Sequence, residues 1–247
     1  MKADPFVQLR LLELQTLDTC LDRLAHRRRT LPELTEIERS ERAVEALRDD
    51  TVRAETEVSD LGRTQRKFDE EIEQVRARRT RDEDRLSSGA ITVSRQLEEL
   101  QHEVATLQRR QADLEDQELE VMERAEAAQA VLTALLGQRD QLLTSRDVAA
   151  QARDRAFQEI DDEIAGTNAE RAELAASLPT DLLALYEKLR ADNGGTGAGP
   201  IERGRCGGCR LDLMNNERSA IRSAAPDEVL RHDECGRIMI RTAESGL

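Results

Sequence analysis

The stretch "RLSSGAITVSRQL", Arg85 to Leu97, decides the fold. On both sides of it the chain reads as long, unbroken helix. Ser87, Ser88 and Gly89 supply a break between them. Glycine adopts the left-handed conformation that ends a helix, and Ser94 can cap the helix that follows. The chain should therefore reverse between 87 and 94 and bring two long arms side by side.

Both arms carry the pattern that such a reversal needs. From Leu97 to Leu142, alternating steps of three and four meet an apolar residue at every position but Gln111, Glu118 and Arg139. The same spacing runs through the preceding arm from Ile37 to Leu86. A seven-residue repeat keeps an apolar stripe on one side of a long helix. No proline falls between 33 and 178 to interrupt it. The seams set a register, with Leu86 opposite Leu97, Phe68 opposite Leu114 and Leu61 opposite Val121. Carried further along the seam, residue 33 faces about 149 and residue 5 about 177. The stripes Val7, Leu14, Leu17, Leu21, Leu24 and Phe157, Ile160, Ile164, Leu174 can then meet. Pro32 interrupts the first arm, so a bend is expected near 29–33. The expected fold is mainly α: a long, kinked antiparallel coiled-coil hairpin over residues 1–178, rod-like, followed by a small C-terminal zinc ribbon.

Composition agrees with such a rod. Of 247 residues, 36% are charged and 2% aromatic, with no Trp and one Tyr. That is the balance of long helices, not of an aromatic-rich globular core. The net charge is −14. Residues 201–247 hold eight Arg against eight Asp and Glu, so the excess lies in residues 1–200. Charges on the outer faces of a coiled coil keep it solvated, and an acidic rod repels nucleic acid. No apolar run is long enough to insert in a membrane. The start, MKADPFVQLRL, lacks the apolar core of a signal peptide. A cytoplasmic protein is expected, with its four cysteines reduced.

After Pro179 the pattern changes. Residues 179–199 read as a short amphipathic helix and a flexible Gly-rich linker, "ADNGGTGAGP". Gly194, Gly195, Gly197 and Gly199 lack the Gly-Lys-Ser/Thr of a phosphate loop. Residues 200–247 then carry Cys206-x-x-Cys209 and, after a 22-residue gap, His232-x-x-Cys235. So short a segment with few large apolar groups cannot build a sufficient core alone. Bound metal can supply the deficit. Two knuckles of equal spacing, the second followed by Gly236, give a Cys₃His donor set for a structural Zn²⁺: Cys206, Cys209, His232 and Cys235. Asp233 and Glu234 are competing oxygen donors that would break the symmetric spacing. Three thiolates and a neutral imidazole leave about one negative charge around Zn²⁺. Arg205, Arg210, Arg231 and Arg237 flank the ligands. Cys20, between Leu17 and Leu24, reads as a packing residue, and His26 and His102 as surface residues.

The knuckle sequences "CGGC" and "CGRIMI", together with the turn "GAITVSRQLEELQHEV", resemble the bacterial C4-type zinc-ribbon coiled-coil proteins. The resemblance covers nearly the whole chain. It implies an elongated, kinked helical hairpin with a terminal zinc ribbon and no enzymatic activity. In some flagellated bacteria, members of that family resemble adaptors or chaperones for a sigma factor and for secretion components, and one contacts RNA. The chain departs from the family at one ligand, His232 standing where the family has cysteine.

Three functions compete. A noncatalytic adaptor or chaperone-like protein would bind protein partners through its rod and ribbon. Candidate contacts are Ile91 and Val93 on the hairpin turn and Arg205, Arg210 and Arg237 around the knuckles. A nucleic-acid binder acting through the ribbon is the alternative, opposed by the eight acids and by the lack of any aromatic residue after Tyr186. An enzyme is disfavoured, because four donors at knuckle spacing leave zinc no open position. A monomer is expected, since each seam finds its partner in the same chain, with a parallel homodimer as the alternative.

Overall fold

The structure is a computed structural model and describes residues 1–246. Helices run over Pro5–Arg29 (α1), Pro32–Ser87 (α2), Ser94–Ala176 (α3), Thr180–Asp192 (α4) and Asn215–Ser223 (α5). Four short strands follow α4 in the C-terminal part: Ala198–Glu202 (β1), Arg205–Cys206 (β2), Leu230–Arg231 (β3) and Ile238–Ile240 (β4). The chain forms two units. One is Thr35–Ala149; the other joins Met1–Leu34 to the chain from Ala150 onward.

The first of these units is an antiparallel hairpin of α2 against α3. Its seam is narrow. Leu61, Val121 and Ala128 are buried, with Val58, Phe68 and Ala125 packed against them, so Leu61 meets Val121 as the heptads require. Arg78 pairs with Glu103 at 2.6 Å and Arg110 with Glu71 at 3.5 Å across the arms. Such exposed pairs contribute at most about 1 kcal/mol each. Burying one Leu or Val contributes about 1.5–3 kcal/mol, so the apolar seam holds the arms and the charges solvate them. Gln111 sits buried in that seam. Its oxygen accepts from Arg79 at 2.7 Å and its amide donates to Glu115 at 2.7 Å.

The reversal falls where the serines and glycine place it. Gly89 has φ 67°, open to a residue without Cβ. Ser94 is not the cap, however. It is the first helical residue, and the carbonyl of Val93 accepts the Leu97 N–H at 3.1 Å.

In the other unit, α1 starts at an Asp4 cap whose carboxylate accepts the Phe6 N–H, with Pro5 at the first helical position. The break expected near 29–33 falls at Thr30 and Leu31. It is pinned: the Thr30 N–H reaches the His26 and Arg27 carbonyls, and Leu31 is buried with Leu24 and Ile160. Cys20 packs against that same cluster.

The register at this base departs from the one expected. Leu61 opposite Val121 would set residue 18 against about 164. Instead the Asp18 carboxylate takes Arg171 Nε at 2.6 Å, and Leu14 clusters with Leu174 and Leu178. Thr30 and Leu31 account for part of the offset. A residue outside a helix advances up to about 3.3 Å along the chain, against 1.5 Å within one.

The strands form a sheet of order β2-β1-β4-β3, with β1 parallel to β4 and antiparallel to β2, and β3 antiparallel to β4. Alternation along β4 fixes the sheet on both faces. Ile238 and Ile240 enter the cluster of Leu11, Leu14, Leu182 and Tyr186 from α1 and α4. Met239 enters a second cluster with Ile201, Cys206, Leu213 and Ile221. The residues expected as a flexible linker are therefore not free. Gln15 accepts the Gly197 N–H at 2.8 Å and donates to the Gly195 carbonyl at 2.9 Å. The first residues also pair with this region, the Ala3 N–H reaching the Asp227 carbonyl at 2.7 Å and the Val229 N–H the Met1 carbonyl at 3.1 Å.

Candidate metal centre

Two tight turns of the same design carry the four donors. In the first, the Arg210 N–H returns to the Cys206 carbonyl at 2.7 Å; in the second, the Gly236 N–H returns to the His232 carbonyl at 2.7 Å. The residue after the last donor has positive φ in both, 70° at Gly236 and 65° at Arg210. Glycine takes this conformation without strain; Arg210 takes it against the cost of its Cβ. The sequence signals the second turn through Gly236 and hides the equivalent position in the first.

The donor atoms of Cys206, Cys209, His232 and Cys235 all lie within 4.8 Å of one another. His232 is 1% exposed and presents Nδ1 to two thiols, at 3.3 Å from Cys209 Sγ and 3.1 Å from Cys235 Sγ. Tetrahedral Zn²⁺, with bonds of about 2.3 Å to sulfur and 2.0–2.1 Å to nitrogen, sets such atoms about 3.6 Å apart. The two Nδ1–sulfur distances fall within half an ångström of that spacing, and the donor set Cys₃His is of the kind that ion takes. Asp233 and Glu234, the competing donors, are exposed.

The thiols differ in how readily they ionise. Burial pushes Cys206 up to about 11. Burial also raises Cys235, but the Arg237 N–H and side chain, His232 and Cys209 outweigh it and bring the thiol down to about 6. Metal binding takes all three as thiolates and releases their remaining protons. Four protein donors close a tetrahedral ion, the arrangement of a structural site.

Glu217 was not singled out by sequence. It is buried at the third position of α5. Its Oε2 accepts the Met214 N–H at 3.0 Å and its Oε1 the Asp233 N–H at 3.1 Å. It thereby ties α5 to the second turn. Burial pushes its pKa up, but those two N–H groups and the neighbouring His232 outweigh it and hold the carboxyl below the usual carboxylate range. An Asn-Asn-Glu start to a short amphipathic stretch is the only local sign of this role.

The candidate contact residues divide. Val93 is 51% exposed, and Ile91 is half-buried. Arg205 is exposed and pairs with Asp212 at 2.8 Å, and Arg210 is exposed. Arg237 is not available for a partner: it donates to the Thr196 and Asn193 carbonyls at 3.0 Å each, so its role is internal. At the end of α1, Arg28 pairs with Asp161 and lies 4.4 Å from the Phe157 ring centroid.

An antiparallel helical hairpin in one unit and a small sheet with paired Cys/His knuckles in the other define a zinc-ribbon hairpin class. The CT398-like coiled coil hairpin domain matches residues 14–194, and the C4-type zinc ribbon domain matches residues 205–239. The chain belongs to the CT398-like coiled-coil hairpin family and carries its zinc ribbon domain. Protein MT2288 of Mycobacterium tuberculosis is 42% identical over 241 residues, 98% of each chain. A solved structure from Mycobacterium smegmatis is similar at 39% identity and TM-score 0.84, over 98% of this chain and 100% of that one. CT398 from Chlamydia trachomatis shares the fold at 18% identity and TM-score 0.62, over 96% of this chain and 98% of that one.

Proposed function

We propose that the protein is a noncatalytic, zinc-containing adaptor or chaperone-like protein of the cytoplasm that binds protein partners through its hairpin and ribbon. The closed donor set carries the reading. Three sulfurs and one buried imidazole nitrogen fill a tetrahedral ion, so zinc here holds the ribbon together and presents no open position to a substrate. Among the described residues, no helix is long and apolar enough to cross a membrane. Three of the four cysteines belong to the metal donor set, a use of cysteine that suits a cytoplasm better than a disulfide framework does.

The arginines of the ribbon favour this reading over nucleic-acid binding. Arg218 and Arg241, like Arg237, donate to backbone carbonyls within the base, and Arg205 faces an acid. Arg203, Arg210 and Arg222 remain as the ribbon's other exposed arginines beside Arg231, set among its eight acids rather than in a run of one sign.

The test pairs two measurements on the full chain. Affinity capture from lysate should recover a defined protein whose retention falls when Ile91 and Val93 are changed to Ser. Filter binding of single- and double-stranded nucleic acid should show no submicromolar affinity with a steep salt dependence. The opposite pair of results would replace the adaptor with a nucleic-acid binder.

A further inference from the structure

His232 has two ring nitrogens, and the donor cluster uses one. Nδ1 faces the thiols of Cys209 and Cys235. Nε2 is buried and has no hydrogen-bond partner. The acidic oxygen facing it is Glu217 Oε1, 3.9 Å away. Glu217 is itself buried and fixed by two backbone N–H groups, from Met214 and Asp233.

The geometry points to Glu217 as the positioning residue of the metal centre: the carboxylate that accepts a hydrogen bond from the His232 Nε2–H and so commits Nδ1 to zinc. It rests on the reading that the four donors hold zinc. The chemistry follows from imidazole itself. A neutral ring carries one proton; when Nδ1 is given to a metal, the proton resides on Nε2. That proton is here inside the protein, where an unpaired donor is costly. A metal-bound histidine ordinarily donates its other N–H to a carboxylate or carbonyl, which fixes the ring and strengthens it as a ligand. Glu217 offers the first of these. The 3.9 Å separation is about 1 Å longer than a charge-assisted hydrogen bond, and the assignment requires that gap to close when zinc is bound.

The arrangement also bears on why histidine can stand at this position. Cysteine there would present one sulfur to the metal and no second polar atom to the interior. Histidine presents a second, and α5 supplies its acceptor. One buried carboxylate then serves the start of α5, the backbone of the second turn and the fourth ligand together.

The test is a double-mutant cycle on the full chain, with zinc affinity read by competition with a chromophoric chelator. The variants are Glu217→Gln, His232→Cys and the pair. Glutamine keeps the size of the side chain but is a weaker acceptor. In the His232 background, Glu217→Gln should weaken zinc by about 10–100-fold. In the His232→Cys background the loss should shrink by at least about tenfold, because no ring N–H remains to donate. Any purely structural cost at Met214 and Asp233 appears in both backgrounds and cancels. Nitrogen-15 spectra of the wild-type zinc form should show His232 metallated at Nδ1 and protonated at Nε2, with slow exchange of that proton that quickens in Glu217→Gln. Equal losses in both backgrounds, or metallation at Nε2, would overturn the assignment while leaving zinc binding intact. A wild-type chain with no zinc would overturn the zinc reading and this assignment with it.

Discussion

The hydroxyl of Tyr186 donates to Asp18 Oδ2 at 2.6 Å, both side chains fully buried. Asp18 Oδ1 takes Arg171 Nε at 2.6 Å, and Arg190 approaches Oδ2 to 3.3 Å. One carboxylate therefore joins α1, α3 and α4 at the base that carries the metal centre. Removing Asp18 takes the shorter partner from the buried Tyr186 hydroxyl and one of two acidic partners from each of Arg171 and Arg190, which keep Glu187 and Asp22. Asp18→Ala should destabilise this unit by about 1–3 kcal/mol. Urea unfolding monitored by far-ultraviolet circular dichroism measures it. A loss below about 1 kcal/mol would match an exposed pair and contradict this role.

The same contact makes an alkaline prediction. Burial first, then the hydrogen bond to Asp18, raises the Tyr186 hydroxyl well above its ordinary value near 10. A raised folded value gives stability that is complete below the unfolded value and is lost as pH rises toward the folded one. Stability should hold below pH of about 10 and fall above it. The chain has one tyrosine, so tyrosinate absorbance reports this group alone. It should rise with the unfolding transition. A free titration near 10 in the folded protein would refute the buried contact.

At His232 the expected outcome separates ligand from neighbour. His232→Ala leaves three thiolates, so zinc should survive less dialysis against a mild chelator, and residues 201–241 should lose protection from protease. His232→Cys should hold zinc at least as well as the wild type, thiolate being a strong zinc ligand. Full zinc in His232→Ala, with loss in Asp233→Ala or Glu234→Ala, would move the ligand to oxygen.

Arg210 tests the symmetry of the two turns. It holds φ 65° where the other turn has glycine. Arg210→Gly removes the Cβ strain of about 1–2 kcal/mol but adds chain entropy of about 0.4–1 kcal/mol to the unfolded state. The net expectation is a small gain in thermal stability, read by calorimetry of the zinc-loaded protein. A clear loss would show that the arginine side chain contributes more than the backbone costs.

On the hairpin turn, Ile91→Ser with Val93→Ser should leave melting nearly unchanged if these residues serve contact, since Val93 is already 51% exposed. A drop of several degrees would assign them to packing. Light scattering on the same samples should give the mass of one 27.8 kDa chain, and twice that mass would favour the homodimer.

The hairpin and the four donors were legible because each rests on local spacing. A heptad stripe announces which side of a helix is buried wherever its partner lies, and Ser87–Gly89 announces the reversal. Two donors separated by two residues announce a turn that aims both at one point. The sequence alone thus determined the arms, their reversal and the identity of Cys206, Cys209, His232 and Cys235 as a set. Only tertiary structure decided how the base closes. Gln15, Asp18 and Glu217 are polar residues whose partners lie 153 to 183 positions away for the first two and 15 or 16 positions away for Glu217's contacts in the second turn. No periodicity marks a polar side chain for burial, because its worth depends wholly on which donors the fold brings to it. The same holds for Met1–Ala3 beside 227–229, and for 194–199, where glycines that read as slack become close backbone contacts once Gln15 and Tyr186 are in place. Packing at a distance, not local propensity, fixed those residues.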